Sequence, residues 1–143
     1  MALMKSVVIY IILVNVAAGM LMEVLHPTRT IELKGILYCA YEPITMGNVT
    51  IRLYDDYLGL YRKEIATAKP DKNGNFSIFG RNRAFIDLNP ILTVEHHCVR
   101  NKYEPNCTVT GGYVVPSGYT ATVYDIGYVN VNLLNDRYEK ICS

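Results

Sequence analysis

Two adjacent histidines, His96 and His97, and four cysteines, Cys39, Cys98, Cys107 and Cys142, are the residues best suited to chemistry. The histidines close an alternating stretch, Ile-Leu-Thr-Val-Glu-His-His-Cys, over residues 91–98. Neighbours on a strand point to opposite faces, so the two imidazoles cannot both hold one metal from that strand. His96 shares its face with Leu92, Val94 and Cys98, which predicts a core histidine with a hydrogen-bonded ring nitrogen. The competing reading is a metal site joining one of the pair to His26. The cysteines contain no C-x₂-C pair, so zinc is not expected. An even count in a small chain predicts disulfides instead, with three possible connectivities. Asp71-x-Asn73-Gly74-Asn75 resembles half of a calcium loop, yet the distal glutamate is missing. Asn-Gly is a hairpin signal, and a plain turn is expected there. No Gly-x-Ser-x-Gly element occurs, and no metal or cofactor is expected.

The elements that must position these groups read as strands. Residues 30–40 place Ile31, Leu33, Gly35, Leu37 and Cys39 on one face. Residues 48–54 do the same with Val49, Ile51 and Leu53, and a third strand is expected over 62–69. Asp55-Asp56 and Gly59 interrupt the pattern. Phe76 and Ile78 alternate in a fourth strand that stops near Gly80, followed by a polar link over 81–88. Residues 91–98 are the fifth strand, with Pro90 at its start. Residues 99–112, with Pro105 and Gly111-Gly112, read as a long loop. Tyr113-Val114-Val115 is a short strand. Residues 120–134 read as mostly extended, with a bulge at Gly127 and Val129, Val131 and Leu133 inward. Short alternating strands separated by turns predict an all-β, antiparallel sandwich of seven or eight strands, stabilised by disulfides.

The length of 143 residues suits one domain, and a hydrophobic share of 50% is ample for its core. Twelve tyrosines and no tryptophan, with recurrent β-branched residues, favour strands. The N-terminus carries Lys5, an apolar run over 7–16 and the small residues Ala17-Ala18-Gly19, the pattern of a secretory signal peptide over 1–19. An uncleaved anchor is the alternative. Residues 20–29 are a lead-in, and 30–143 form the domain. Without Lys5 the mature chain is balanced in charge. No basic stripe appears, so nucleic acid is not an expected partner.

The ordered set Gly35-x-Leu37-x-Cys39, Pro43, Asn48-Val49-x-Ile51-x-Leu53, Asp71-x-Asn73-Gly74-x-Phe76, His96-x-Cys98, Val115-Pro116 and Asp125-Ile126-Gly127 resembles the secreted transthyretin-like family typical of nematodes. The resemblance implies a transthyretin-type sandwich, related in shape to immunoglobulin domains, and extracellular life. It also places Cys39 and Cys98 on the family's Leu-x-Cys and His-x-Cys positions, which favours Cys39–Cys98 and Cys107–Cys142. The rival is Cys98–Cys107 with Cys39–Cys142. One enzyme branch of this fold, hydroxyisourate hydrolase, ends in Tyr-Arg-Gly-Ser. This chain ends Arg137-Tyr138-Glu139-Lys140-Ile141-Cys142-Ser143, which removes the main reason to expect hydrolysis.

Three sequons, at Asn48, Asn75 and Asn106, are candidate glycosylation sites. Tyr38, Tyr41, Tyr54, Tyr57 and Tyr61 form the candidate recognition patch. The expected function is a secreted, non-enzymatic recognition or carrier domain. Its candidate partners are an extracellular or cell-surface protein, a lipid headgroup or a small apolar ligand. The alternative is a divergent hydrolase using His96 or His97. The ligand-binding residues and the oligomeric state are open at this point.

Overall fold

The computed structural model describes residues 2–25, 28–44, 48–83, 88–116 and 123–143. Among these residues a helix, α1 (Ala2–Leu25), precedes eleven strands: β1 (Thr28–Cys39), β2 (Glu42–Pro43), β3 (Thr50–Tyr57), β4 (Tyr61–Ala68), β5 (Asn75–Arg83), β6 (Pro90–His96), β7 (Cys98–Val99), β8 (Lys102–Tyr103), β9 (Cys107–Val114), β10 (Val123–Asn130) and β11 (Asp136–Cys142). Within α1, Ala2–Leu21 is apolar and long enough to cross a membrane, and none of it is buried against the strands. That fits a signal peptide, although the helix runs beyond residue 19 into the segment read as a lead-in.

Two sheets face each other. In the first, β1 lies between β10 and β5, with β2 paired to its last residues. The second has the order β11-β9-β6-β3-β4, and β7 and β8 form a separate hairpin. Alternation supplies the core. Leu33 and Leu37 of β1, Ile51 and Leu53 of β3, Phe76 and Ile78 of β5, Leu92 and Val94 of β6, and Val49, Val129 and Val131 are all buried in one cluster. Strand β6 is central in its sheet, and its other face is covered as well: Ile91 and Thr93 are also buried.

The structure corrects several expectations. Leu133 is 72% exposed. The strand pattern stops at Asn130, whose side chain accepts from the Asn132 N–H and caps a 3₁₀ turn, Val131–Leu133. Burial passes to Leu134 instead. Residues 99–112 are not a loop: they hold β8 and most of β9. Gly111 and Gly112 lie in β9, and glycine is required there because a Cβ would come within 2.7 Å of the Leu134 carbonyl oxygen and 2.8 Å of that of Asp136. Strand β5 continues past Gly80 to Arg83; Gly80 leaves room for Leu53 and Ile65. Residues 84–87 of the expected polar link lie outside the described residues, as do 117–122. Among the described residues the sheets are antiparallel except for one ladder: β10 runs parallel to β1, with a register shift at Gly35 opposite Gly127, which has φ 79°.

Candidate functional site

Both disulfides close as a sandwich end and a strand edge. Cys39 at the end of β1 bonds Cys98 at the start of β7, joining the two halves of the core at one end. Cys107 and Cys142 bond directly across the β9–β11 ladder. Beside the first bond lies an open cavity of about 400 Å³. Two turns shape it. Ala40, at φ 60°, reverses the chain between β1 and β2, leaving Tyr41 96% exposed at the rim. Arg100 and Asn101, both at positive φ, turn β7 into β8 and bring Lys102 and Tyr103 to the opposite side. The disulfide, Pro43 and Ile44 complete an apolar floor, and Glu42 and Lys102 add opposite charges. Asn132 braces this end by donating to the Cys98 carbonyl at 3.0 Å and accepting from the Asn101 N–H.

His96 is completely buried. Its Nδ1 accepts from the Cys98 backbone N–H at 3.0 Å, so the ring proton sits on Nε2. Burial pushes its pKa down to about 4, and neighbouring His97 adds to the effect. The ring is therefore neutral at physiological pH. His97 points the other way and is half-buried. Its Nδ1 lies 2.8 Å from the Cys107 carbonyl oxygen, to which it donates, and its ring meets Tyr103 edge-on. Each histidine fastens a backbone segment beside a disulfide. Among the described residues neither is set against a nucleophile or a carboxylate, the geometry that acid–base work requires. Among the described residues no three His, Cys, Asp or Glu side chains gather as metal ligands. His26 lies outside those residues. The Asp71 carboxylate is occupied by the backbone N–H groups of Asn73 and Asn75, which makes a turn rather than an open oxygen cage.

The opposite end holds a polar cluster. Asp55 and Asp56, whose charges look like a strand break in the sequence, are inside β3 and buried. Asp55 accepts from the side-chain amide of Asn82 on β5 and from the backbone N–H of Asn89, each at 3.0 Å. Asn82 also donates to the Tyr57 hydroxyl and accepts from Lys63 at 3.0 Å. Burial raises the Tyr57 pKa; the Asn82 hydrogen bond opposes this, and the Asp55 carboxylate reinforces it. Arg62 sits 3.6 Å from Asp56 and 3.2 Å from Asp136. Above the cluster the β3–β4 hairpin turns on Leu58 and Gly59, both at positive φ, with Leu58 80% and Leu60 89% exposed. The only sequence signal for this cluster was the odd pair of adjacent aspartates in an apolar run; Asn82 and Asn89 gave none.

The tyrosines do not form one patch. Tyr38 lies on the outer face of the first sheet against Tyr128, 5.4 Å between ring centres. Tyr41 rims the cavity, and Tyr57 stacks on Tyr61 at the opposite end. Runs of strand reverse direction, so closeness along the chain did not become closeness in space. Asn48, Asn75 and Asn106 are all exposed.

The model of the transthyretin-like family matches residues 34–116, more than half of the chain. Transthyretin-like protein 16 of Caenorhabditis elegans is 28% identical over 130 residues, covering 91% of this chain and 92% of its own length. Transthyretin-like protein 46 of the same nematode is 24% identical over 118 residues, and the match covers 78% of this chain and 65% of that protein. A solved 9R-lipoxygenase from Cyanothece PCC8801 is similar at a TM-score of 0.47 and 20% identity, over 70% of this chain and 16% of that one; a likeness this slight carries no functional argument.

Proposed function

The chain belongs to the transthyretin-like family, and from that premise we propose that it is a secreted, non-enzymatic recognition or carrier domain. The observation that carries this reading is the cavity of about 400 Å³ beside the Cys39–Cys98 bond. Its size is that of a small-ligand site. Its floor is covalently fixed, and a preordered site loses less entropy on binding. Tyr41 and Tyr103 offer aromatic walls of the kind that recognition surfaces favour.

Among the candidate partners, this lining favours a small apolar ligand or an apolar side chain of an extracellular or cell-surface protein. An anionic lipid headgroup would need more positive charge than Lys102 supplies beside Glu42. The apolar N-terminal helix and the two disulfides support export, and glycosylation on Asn48, Asn75 or Asn106 fits that route. The test is titration of the purified protein with anilinonaphthalene sulfonate, followed by displacement with lipid extracts and peptides from extracellular fluid. Saturable binding that weakens at least tenfold in both Tyr41→Ala and Tyr103→Ala is the expected result. Binding unchanged in both variants removes the cavity from the reading.

A further inference from the structure

On the outer face of the first sheet, three residues form one cross-strand row. Asn75 of β5 is the register partner of Ile36 of β1, and Ile36 is the partner of Tyr128 of β10. Register partners carry their side chains on the same face. The next row, Phe76, Gly35 and Gly127, turns inward, with Phe76 only 5% exposed. Tyr128 is 77% exposed. The row crosses an open groove of about 610 Å³, to which Lys34 and Lys69 bring positive charge and Asp71 and Asp125 negative charge. Asn75 is also the acceptor position of the sequon Asn75-Phe76-Ser77.

We propose that Asn75 carries an N-linked glycan whose proximal sugars lie across β1, covering Ile36 and stacking on Tyr128. This rests on the secretory reading above. In the folded chain the turn holds the acceptor side chain at the surface: Asp71 takes the Asn75 N–H on its carboxylate and gives its own N–H to the Asn75 carbonyl. The backbone is thereby fixed while the side chain stays outside. Ser77, two residues on, faces the same way. The groove suits sugars in particular. Balanced charges of both signs disfavour an anion or a cation as occupant. A neutral chain bearing hydroxyls can accept from Lys34 and Lys69, donate to the Asp71 and Asp125 carboxylate oxygens that the turn N–H groups leave open, and lay its C–H faces on Ile36 and the Tyr128 ring. Strands lie about 4.8 Å apart, so Tyr128 is about 10 Å from Asn75, within reach of the first linked sugars. Asn106 lacks such a seat: its carbonyl accepts from the Ser143 N–H, beside the Cys107–Cys142 bond.

In the modification, the Asn75 Nδ2 bonds to the anomeric carbon of an oligosaccharide carried on a polyprenyl diphosphate. The carbon–oxygen bond to the diphosphate breaks, its electron pair leaves with the diphosphate, and the amide loses one proton.

The experiment translates the full chain in the presence of endoplasmic-reticulum microsomes and maps its tryptic peptides by mass spectrometry. The peptide over residues 73–81 contains Asn75 as its one sequon. It should carry a glycan, and Ser77→Ala should abolish it. A chain that enters the lumen and loses its leader, yet shows this peptide bare, overturns the inference and leaves the secretory reading standing. A chain that never enters overturns both. For the seat, enzymatic removal of the glycan should lower the melting temperature of the natural sequence and leave that of Tyr128→Ala unmoved. An equal drop in both means the sugars do not rest on Tyr128.

Discussion

The side-chain amide of Asn82 donates to the carboxylate of Asp55 at 3.0 Å, and the bond crosses from one sheet to the other. It ties the sandwich at the end opposite the Cys39–Cys98 bond. One end is closed by a covalent link, the other by a hydrogen bond between two buried polar side chains.

Asp55→Ala should therefore destabilise the fold by about 1–3 kcal/mol, because it strands the buried Asn82 amide and removes the acceptor of the Asn89 N–H. Urea denaturation of variant and parent checks this. A loss under about 0.5 kcal/mol, the level of an ordinary surface change, would contradict the polar tie.

Replacing Cys39 and Cys98 by alanine should cost about 2–5 kcal/mol, since the bond spans 59 residues and restricts the unfolded chain. Opening Cys107–Cys142 should act locally. Strand β11 is exposed along nearly its whole length, so its amides should exchange faster while the core stays protected. Hydrogen exchange resolves the two patterns.

Stability should fall with acid through His96. The unfolded chain protonates this imidazole below about pH 6.5, the folded chain only below about 4. The contribution is whole above about 6.5, declines through that window and levels off near 4; the interval corresponds to about 3 kcal/mol. Melting temperatures of His96→Gln should be flatter than those of the parent between pH 7 and 5. Parallel curves would show that another group sets the slope.

Leu58 occupies the left-handed region at φ 56° beside Gly59, and the Leu60 N–H donates to the Tyr57 carbonyl. A β hairpin whose two central residues both have positive φ favours Asn-Gly, and leucine there costs about 1–2 kcal/mol. Leu58→Asn should raise stability by about 1 kcal/mol, read as a shifted denaturation midpoint. The 80% exposure of Leu58 means little packing is lost.

Alternation alone located most of the core, from Leu33 and Leu37 through Val49, Ile51 and Leu53 to Val129 and Val131. It works because a strand with one buried face writes a period of two into the chain. Leu133 defeated it because Asn130 caps a turn at the last beat of the pattern. Gly111 and Gly112 read as loop residues although they are strand residues under close backbone approach, a demand set by Leu134 and Asp136 more than twenty positions away. The Asp55–Asn82–Asn89 cluster was illegible for the same reason. Its charges are tolerable inside only because partners arrive from β5 and from the residue before β6, and no local pattern announces them. The cavity depends on two left-handed turns at Ala40 and at Arg100-Asn101, none of them glycine, so the usual turn signal was absent.

The parallel ladder between β1 and β10 also sets a timetable. Glu32 must wait for Val123 before it meets its partner, and at a synthesis rate of ~5–20 residues per second that wait is about 5–20 s. Contacts so far apart in sequence form slowly in any case. During the interval the flank of β1 that β10 will cover is an unpaired row of amides and carbonyls, open to the wrong neighbour. The danger of mispairing is governed by the pace of translation, not by the strength of the finished sandwich.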